Sequence, residues 1–144
     1  MKSATAYSRR GKIFIHSSSK TKDGVWILAE PVISIGDVVD SNAVGASVRE
    51  CLHGSRIGVD HPKSFSDLFS PMLKLAKVKS YKEFAREAKC VEIVEDDGVI
   101  SFFPTANHGV DEGFVRLGGA REISQAKEDL QVGKALLDSI AEAK

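Results

Sequence analysis

Two cysteines and four histidines are the side chains of this 144-residue chain that bear most directly on chemistry. Cys51 and His53 stand two apart near the end of a helical stripe, and His61 follows eight residues later. A structural zinc site needs four thiolate or imidazole ligands. On a helix, residues i and i+2 point to different sides, and no second pair completes the set. Cys51 therefore reads as a core residue and His53 as a solvated one, with no metal expected. Cys90 opens a strand, and His16, His61 and His108 are the bases that a nucleophilic thiol would need. Any chain with these residues permits such a pairing, and a small core residue is the simpler role for Cys90. Asn107-His108-Gly109 reads as a turn. Glu95, Asp96 and Asp97 are consecutive carboxylates at a hairpin tip, with no apolar pocket to raise one pKa for acid–base work. The chain has no dinucleotide fingerprint, no phosphate loop and no Gly-x-Ser-x-Gly elbow. The basic clusters Arg9-Arg10-Gly11-Lys12 and Lys74 to Lys79 lack aromatics interleaved on a strand face, so nucleic-acid readout is not expected. No catalytic residue, cofactor or metal ligand is assigned.

The elements that would position these groups centre on Lys89 to Leu117. Val91 and Ile93 alternate with Glu92 and Val94, and Asp96-Asp97-Gly98 supplies a tight hairpin turn. Val99 to Phe103 is apolar on both faces, which predicts a central strand with Phe102 and Phe103 both buried. Pro104 has no N–H to donate and is expected to stop the ladder. Thr105 to Asp111 follows as a loop, and Gly113 to Leu117 begins a third strand.

Before this meander, Met1 to Arg10 is polar and patternless, and residues 1–10 are expected to be mobile. Lys12 to His16 is a strand, Ser17 to Lys22 a polar loop and Asp23-Gly24 a turn. Val25 to Leu28 is a second strand, with Val32 to Ile35 as a possible extension. Asp40-Ser41-Asn42 caps a helix whose stripe is Val44, Val48 and Leu52, with Gly54 as its C-cap. Arg56 to Pro62 is a loop. In the apolar segment Phe65 to Leu75, Pro71 favours a short turn followed by a fresh helix with proline in its first turn. Ser80-Tyr81-Lys82-Glu83 is a capping box. Ala120 to Ser124 is an edge strand. Ser124 or Gln125 opens the last helix, which turns Leu130, Gly133, Leu136, Leu137 and Ile140 to one face. Grouped rather than alternating elements predict an α+β fold: a single domain, residues 1–144, with a mainly antiparallel sheet and helices packed largely on one face.

Twenty basic and twenty acidic residues leave no formal net charge, which argues against bulk binding of nucleic acid or anionic membrane. Two cysteines are too few for a disulfide scaffold, and no run approaches a membrane span. The first residues lack the apolar centre of a signal peptide. A cytoplasmic chain with reduced thiols is expected.

Three segments resemble the bacterial contact-dependent growth inhibition immunity proteins. The first is Asp23-Gly24-Val25-Trp26-Ile27 with Pro31-Val32. The second runs from Val44-Gly45-Ala46-Ser47-Val48 through Ser55-Arg56 to His61-Pro62. The third joins Leu68-Phe69-Ser70-Pro71-Met72-Leu73, Val78-Lys79-Ser80-Tyr81, Ala88-Lys89-Cys90, Phe103-Pro104-Thr105-Ala106-Asn107 and Glu112-Gly113-Phe114. The final amphipathic helix is also similar, whereas the first ten residues and Gly118 to Lys127 depart from the pattern. The resemblance implies a non-enzymatic cytoplasmic protein that binds the C-terminal toxin domain, often a nuclease, of a large surface-displayed protein. It implies no contact residue and no oligomeric state. Contact residues are sought instead from charge: a nuclease toxin presents a basic surface, which carboxylates can occupy. The candidates are Asp111 and Glu112, beside Asn107 and His108, and the hairpin-tip group Glu95, Asp96 and Asp97. The first group is favoured because binding residues concentrate in loops of that length. The competing readings are a small enzyme or ligand-binding domain using Cys90 or His108, and a nucleic-acid module using the two basic clusters.

Overall fold

The computed structural model describes residues 1–36 and 39–144. Its first strand, β1 (Lys2–Arg9), is not mobile but lies in the middle of the sheet, between β2 (Lys12–Thr21) and β5 (Lys89–Asp96). Ala4 and Ala6 are fully buried beneath the helices. Small and hydroxylated residues give a weak apolar signal, so a central strand built from them passes as polar chain. β1 joins β2 through Arg10 and Gly11, both at positive φ (50° and 77°), the two-residue turn whose twist suits a hairpin.

β2 also runs further than its apolar residues do. Ser17, Ser18 and Ser19 are buried strand residues rather than loop. The chain leaving the first helix bonds to this stretch: Ser55 Oγ donates to the Ser18 carbonyl, and the Arg56 N–H donates to Ser19 Oγ at 3.1 Å, while Ser17 Oγ is buried without a partner among the described residues. After the turn at Gly24, β3 (Trp26–Ile35) returns along β2, with a register shift at His16/Ser17. The expected loop after the first helix contains a three-residue strand, β4 (Ile57–Val59), parallel to β2.

β5 and β6 (Val99–Asn107) form the expected hairpin on Asp97 and Gly98, at φ 49° and 77°. β6 does not stop at Pro104. On its outer side it pairs with β8 (Arg121–Ser124) up to Phe102 and with β7 (Phe114–Arg116) from Thr105. The Pro104 carbonyl accepts from Leu117 on that side. The position of its missing N–H therefore faces the gap between the two short strands, where no ladder bond is lost. The sheet order is β3-β2-β1-β5-β6-β7, antiparallel throughout this path.

The two long helices, α1 (Ser41–Gly54) and α4 (Asp129–Glu142), cover one face of the sheet. Two short ones, α2 (Ser70–Ala76) and α3 (Tyr81–Arg86), lie against one end of the other. The architecture is α+β, as the grouping of elements predicts. Asp40 caps α1 by accepting from Asn42 N–H, and Ser80 Oγ caps α3 by accepting from Glu83 N–H. Pro71 sits in the first turn of α2.

α4 begins at Asp129, later than its sequence pattern indicates, because Arg49 of α1 holds the preceding chain in place. Its guanidinium donates to the carbonyls of Gln125 and Lys127 and to Asp129 Oδ1. The buried face of α4 is Val132, Gly133, Ala135, Leu136 and Ser139, while Leu130, Leu137 and Ile140 lie half-buried at its margin. The face is turned because Gly133 must meet α1. A Cβ there would overlap the Ser41 carbonyl, and one on Gly45 would overlap the Asp129 carbonyl. Gly54 is a close approach of the same kind: its Cβ would come within 2.7 Å of Pro31 Cδ, so packing rather than a C-cap conformation selects glycine there.

Candidate functional site

Strand alternation fixes what the second face of the sheet carries. With Ala4, Ala6, Ile15, Val91, Ile93 and Phe102 turned to the α1/α4 core, their neighbours face the opposite way. Register sets these neighbours in rows across the strands. One row is His16, Thr5, Glu92 and Phe103; the next is Ser18, Ser3, Val94 and Ser101. The row at the α2/α3 end, Phe14, Tyr7 and Cys90, is covered by Met72 and Phe84. The other rows are closed over His16 and Ser18 but open at Glu92, Phe103, Val94 and Ser101, which are half-buried. They floor a cleft of about 930 Å³, walled by Trp26, Phe65, Phe69, Tyr81 and Phe114. This volume lies in the range of ligand and peptide sites.

Phe102 and Phe103 therefore part company. Phe102 is fully buried, while Phe103 is half-buried in the cleft, against the expectation that both are core. The Arg116 guanidinium lies 3.7 Å from the centre of the Phe103 ring and donates to Glu92 Oε1 at 3.1 and 3.3 Å.

Burial moves His16, Cys90 and Tyr7 of the cleft away from their ordinary ionisation. His16 is buried, and its Nδ1 donates to the Ser17 carbonyl at 2.8 Å. Burial, partly offset by that bond, lowers its pKa to about 4. Burial pushes the Cys90 thiol far above its ordinary range, with the Glu92 charge acting in the same sense, so it stays protonated and inert. Burial likewise raises the Tyr7 phenol and pushes Cys51 up to about 12.

The lowered pKa of His16 has a measurable consequence. The unfolded chain takes up this proton near pH 6.5, whereas the folded chain resists it until about pH 4. Stability from this group is complete above pH 6.5 and falls as pH drops toward 4. Between pH 7.5 and 4.5 the loss should be about 2–3 kcal/mol, and His16→Gln should flatten that part of the profile. Urea unfolding at the two pH values measures it; an unchanged slope in the variant would assign the loss to other groups.

The residues singled out for metal chemistry are not brought together, whereas of the thiol candidates Cys90 and His16 both line the cleft. Cys51 is buried under β3, its thiol 3.7 Å from the Pro31 carbonyl. His53 is exposed, and His61 pairs with Asp23 at 3.2 Å. Among the described residues no three His, Cys, Asp or Glu side chains cluster as metal ligands. Of the basic clusters, Arg9 and Arg10 are both engaged by Glu87.

The acidic candidates fall at opposite ends of β6. Glu95, Asp96 and Asp97 surround the β5–β6 turn, and Asp96 lines the cleft, 3.9 Å from the N-terminal amine. Asp111 and Glu112 are exposed beyond the other end of β6, where Glu112 lies 3.4 Å from His108. Asn107 serves the fold: its Nδ2 donates to the carbonyls of Ala85 and Ala88, and its Oδ1 accepts from Gly109 N–H. Eight residue steps of β6 separate the two acidic ends, roughly 25 Å.

No family model matches the chain, and no curated protein matches it by sequence. Solved structures do share its fold. One is a chain of a CdiA-CT/CdiI toxin and immunity complex from Yersinia pseudotuberculosis. It is 13% identical and superposes with a TM-score of 0.81 over 99% of this chain and 97% of that one. Another is a protein of unknown function from Neisseria meningitidis, 15% identical, with a TM-score of 0.80 over 99% and 95% of the two chains. At such identities the likeness establishes a common fold over the whole length.

The cleft itself escaped sequence reasoning. Glu92, Phe103, Arg116 and His16 lie on four separate strands, and only the register brings the four together. One signal was present: in Cys90, Glu92, Val94 and Asp96 the outward face of β5 is neither a core stripe nor a solvated one.

Proposed function

We propose that this chain is an immunity-type binding protein, which neutralises the C-terminal toxin domain of a contact-dependent growth inhibition system by binding it. The reading rests on the full-length fold shared with a chain of a toxin and immunity complex. The site chemistry agrees with a binding role. The cleft offers aromatic side chains and hydroxyls but no activated nucleophile, and its two exposed aromatics, Trp26 and Phe65, stand at the wall. Aromatic side chains in a concave patch are the commonest anchors of protein interfaces. The site of action proposed is the cytoplasm, and no described helix is long and apolar enough to cross a membrane. A nuclease toxin fits the acidic groups best, because carboxylates can occupy a phosphate-binding surface.

The test is affinity for the C-terminal toxin domain of a contact-dependent growth inhibition protein, sought in an open reading frame adjoining the gene for this chain. A stable complex that abolishes the toxin's activity supports the reading; a toxin domain that neither binds nor is inhibited overturns it. The purified chain alone should turn over no nucleic acid or ester substrate. Charge reversal then locates the contact. Geometry favours the hairpin tip, where Asp96 lines the cleft, over Asp111 and Glu112 at the far end. Asp96→Lys should weaken binding roughly tenfold at low salt and less at high salt, as screening removes a rim charge. If Asp111→Lys with Glu112→Lys does this and Asp96→Lys does not, the contact lies at the loop end.

A further inference from the structure

We propose that Glu92 and Phe103 form a receptor for a cationic side chain of the partner, and that Arg116 occupies it in the free protein. The partner assignment rests on the immunity reading; the receptor itself does not. A guanidinium is recognised by an aromatic face beneath it and a carboxylate at its edge. Both are present, and one guanidinium already satisfies both: Arg116 lies 3.7 Å over Phe103 and bonds to Glu92.

The walls and the occupant differ in how firmly they are held. Glu92 and Phe103 are direct register partners on β5 and β6, and β1 flanks Glu92 on its other side. Arg116 comes from β7, a three-residue strand at the sheet margin, entered from Gly113 at φ 74°. Its side chain is 45% exposed, and both of its bonds go to the same carboxylate oxygen, Oε1. An exposed ion pair contributes little. Delivering the same contacts from a partner that closes the cleft excludes water and strengthens both. Arg116 then swings into solvent, where it remains hydrated, and the clamp keeps the one negative charge of Glu92 for the incoming cation. Asp96 lines the same cleft further along β5 and adds a second carboxylate toward a basic segment.

The probe is arginine amide, titrated by NMR into the whole chain while the Phe103 ring resonances are followed. Arg116→Ala vacates the clamp and should bind the probe at least roughly tenfold more tightly than wild type. Adding Glu92→Gln to that variant should abolish the gain. No gain in Arg116→Ala, or a gain indifferent to Glu92→Gln, overturns the proposal, whatever the partner proves to be. Unchanged amide chemical shifts in β5 and β6 show that each variant keeps the sheet. With the toxin domain, Arg116→Ala should bind as tightly as wild type or more tightly, and Glu92→Gln at least roughly tenfold more weakly. An equal loss in Arg116→Ala would make Arg116 itself the contact and overturn the proposal.

Discussion

Phe102→Ala should cost this protein ~3–5 kcal/mol, and Phe103→Ala about 1 kcal/mol. The two residues are adjacent and identical, and composition cannot tell them apart. Phe102 is fully buried between the sheet and the α1/α4 pair, so truncation leaves a cavity ringed by Ile93, Ile100 and Leu136 of the same core. Phe103 stands in an open cleft, where water takes the place of its ring and the main loss is the stacked Arg116. A domain's whole stability is commonly ~5–15 kcal/mol, so the first variant should be close to unfolding and the second should not. Urea unfolding of the two variants measures the difference. Equal losses would mean that the second face of the sheet is covered.

The helix pair should be comparably intolerant. Gly45→Ala and Gly133→Ala should each cost about 3 kcal/mol or more, although alanine is the better helix former by about 1 kcal/mol. The sign is set by what the new methyl meets. At Gly133 it overlaps the Ser41 carbonyl, and at Gly45 the Asp129 carbonyl. Backbone cannot rotate aside as a side chain would, so α1 and α4 must separate and the core beneath them opens. Gly119→Ala is the control, because no atom lies within 4 Å of the added methyl. Thermal melts of the three variants test this. A Gly133→Ala protein that melts with wild type would show that the helices do not cross at these glycines.

What the sequence discloses follows from how strongly each residue type reports its surroundings. The Asp97-Gly98 hairpin, the Asp40 and Ser80 caps and the place of Pro71 in α2 were legible because each rests on local backbone chemistry. β1 was not, because Ala4, Ala6, Ser3 and Thr5 make up most of a central strand in which Tyr7 is the one large core side chain. The serines of β2 misled for the opposite reason. The stretch is held by Ser55 on the Ser18 carbonyl and Arg56 on the Ser19 hydroxyl, more than thirty residues away, and a pattern within one strand cannot show that. Pro104 should have ended β6, and does not because the missing N–H falls between β7 and β8. The start of α4 was misplaced because Arg49, on another helix, holds the chain before it.

The same division runs through the candidate site. Cys90, His108 and the acidic runs stood out in the sequence because they bear chemistry. The thiol proves buried and protonated, and Asn107 is committed to the loop and the end of α3. The cleft was invisible because it is a property of the sheet register. Its floor combines residues from β1, β2, β5 and β6, and those that stood out in the sequence, His16 and Phe103, did so for other roles.

The central claim is that the uncovered sheet face is where the toxin is held. Ser101 lies on the cleft floor, half-buried, and Ser101→Trp fills that floor without touching the α1/α4 core. The decisive measurement is calorimetric affinity of wild type and Ser101→Trp for a toxin domain that the wild type binds, on proteins with matching melting temperatures. A loss of roughly a hundredfold or more is the predicted result, since a blocked anchor pocket removes the residues that dominate an interface. Wild-type affinity in Ser101→Trp would contradict the claim and move the contact to another surface.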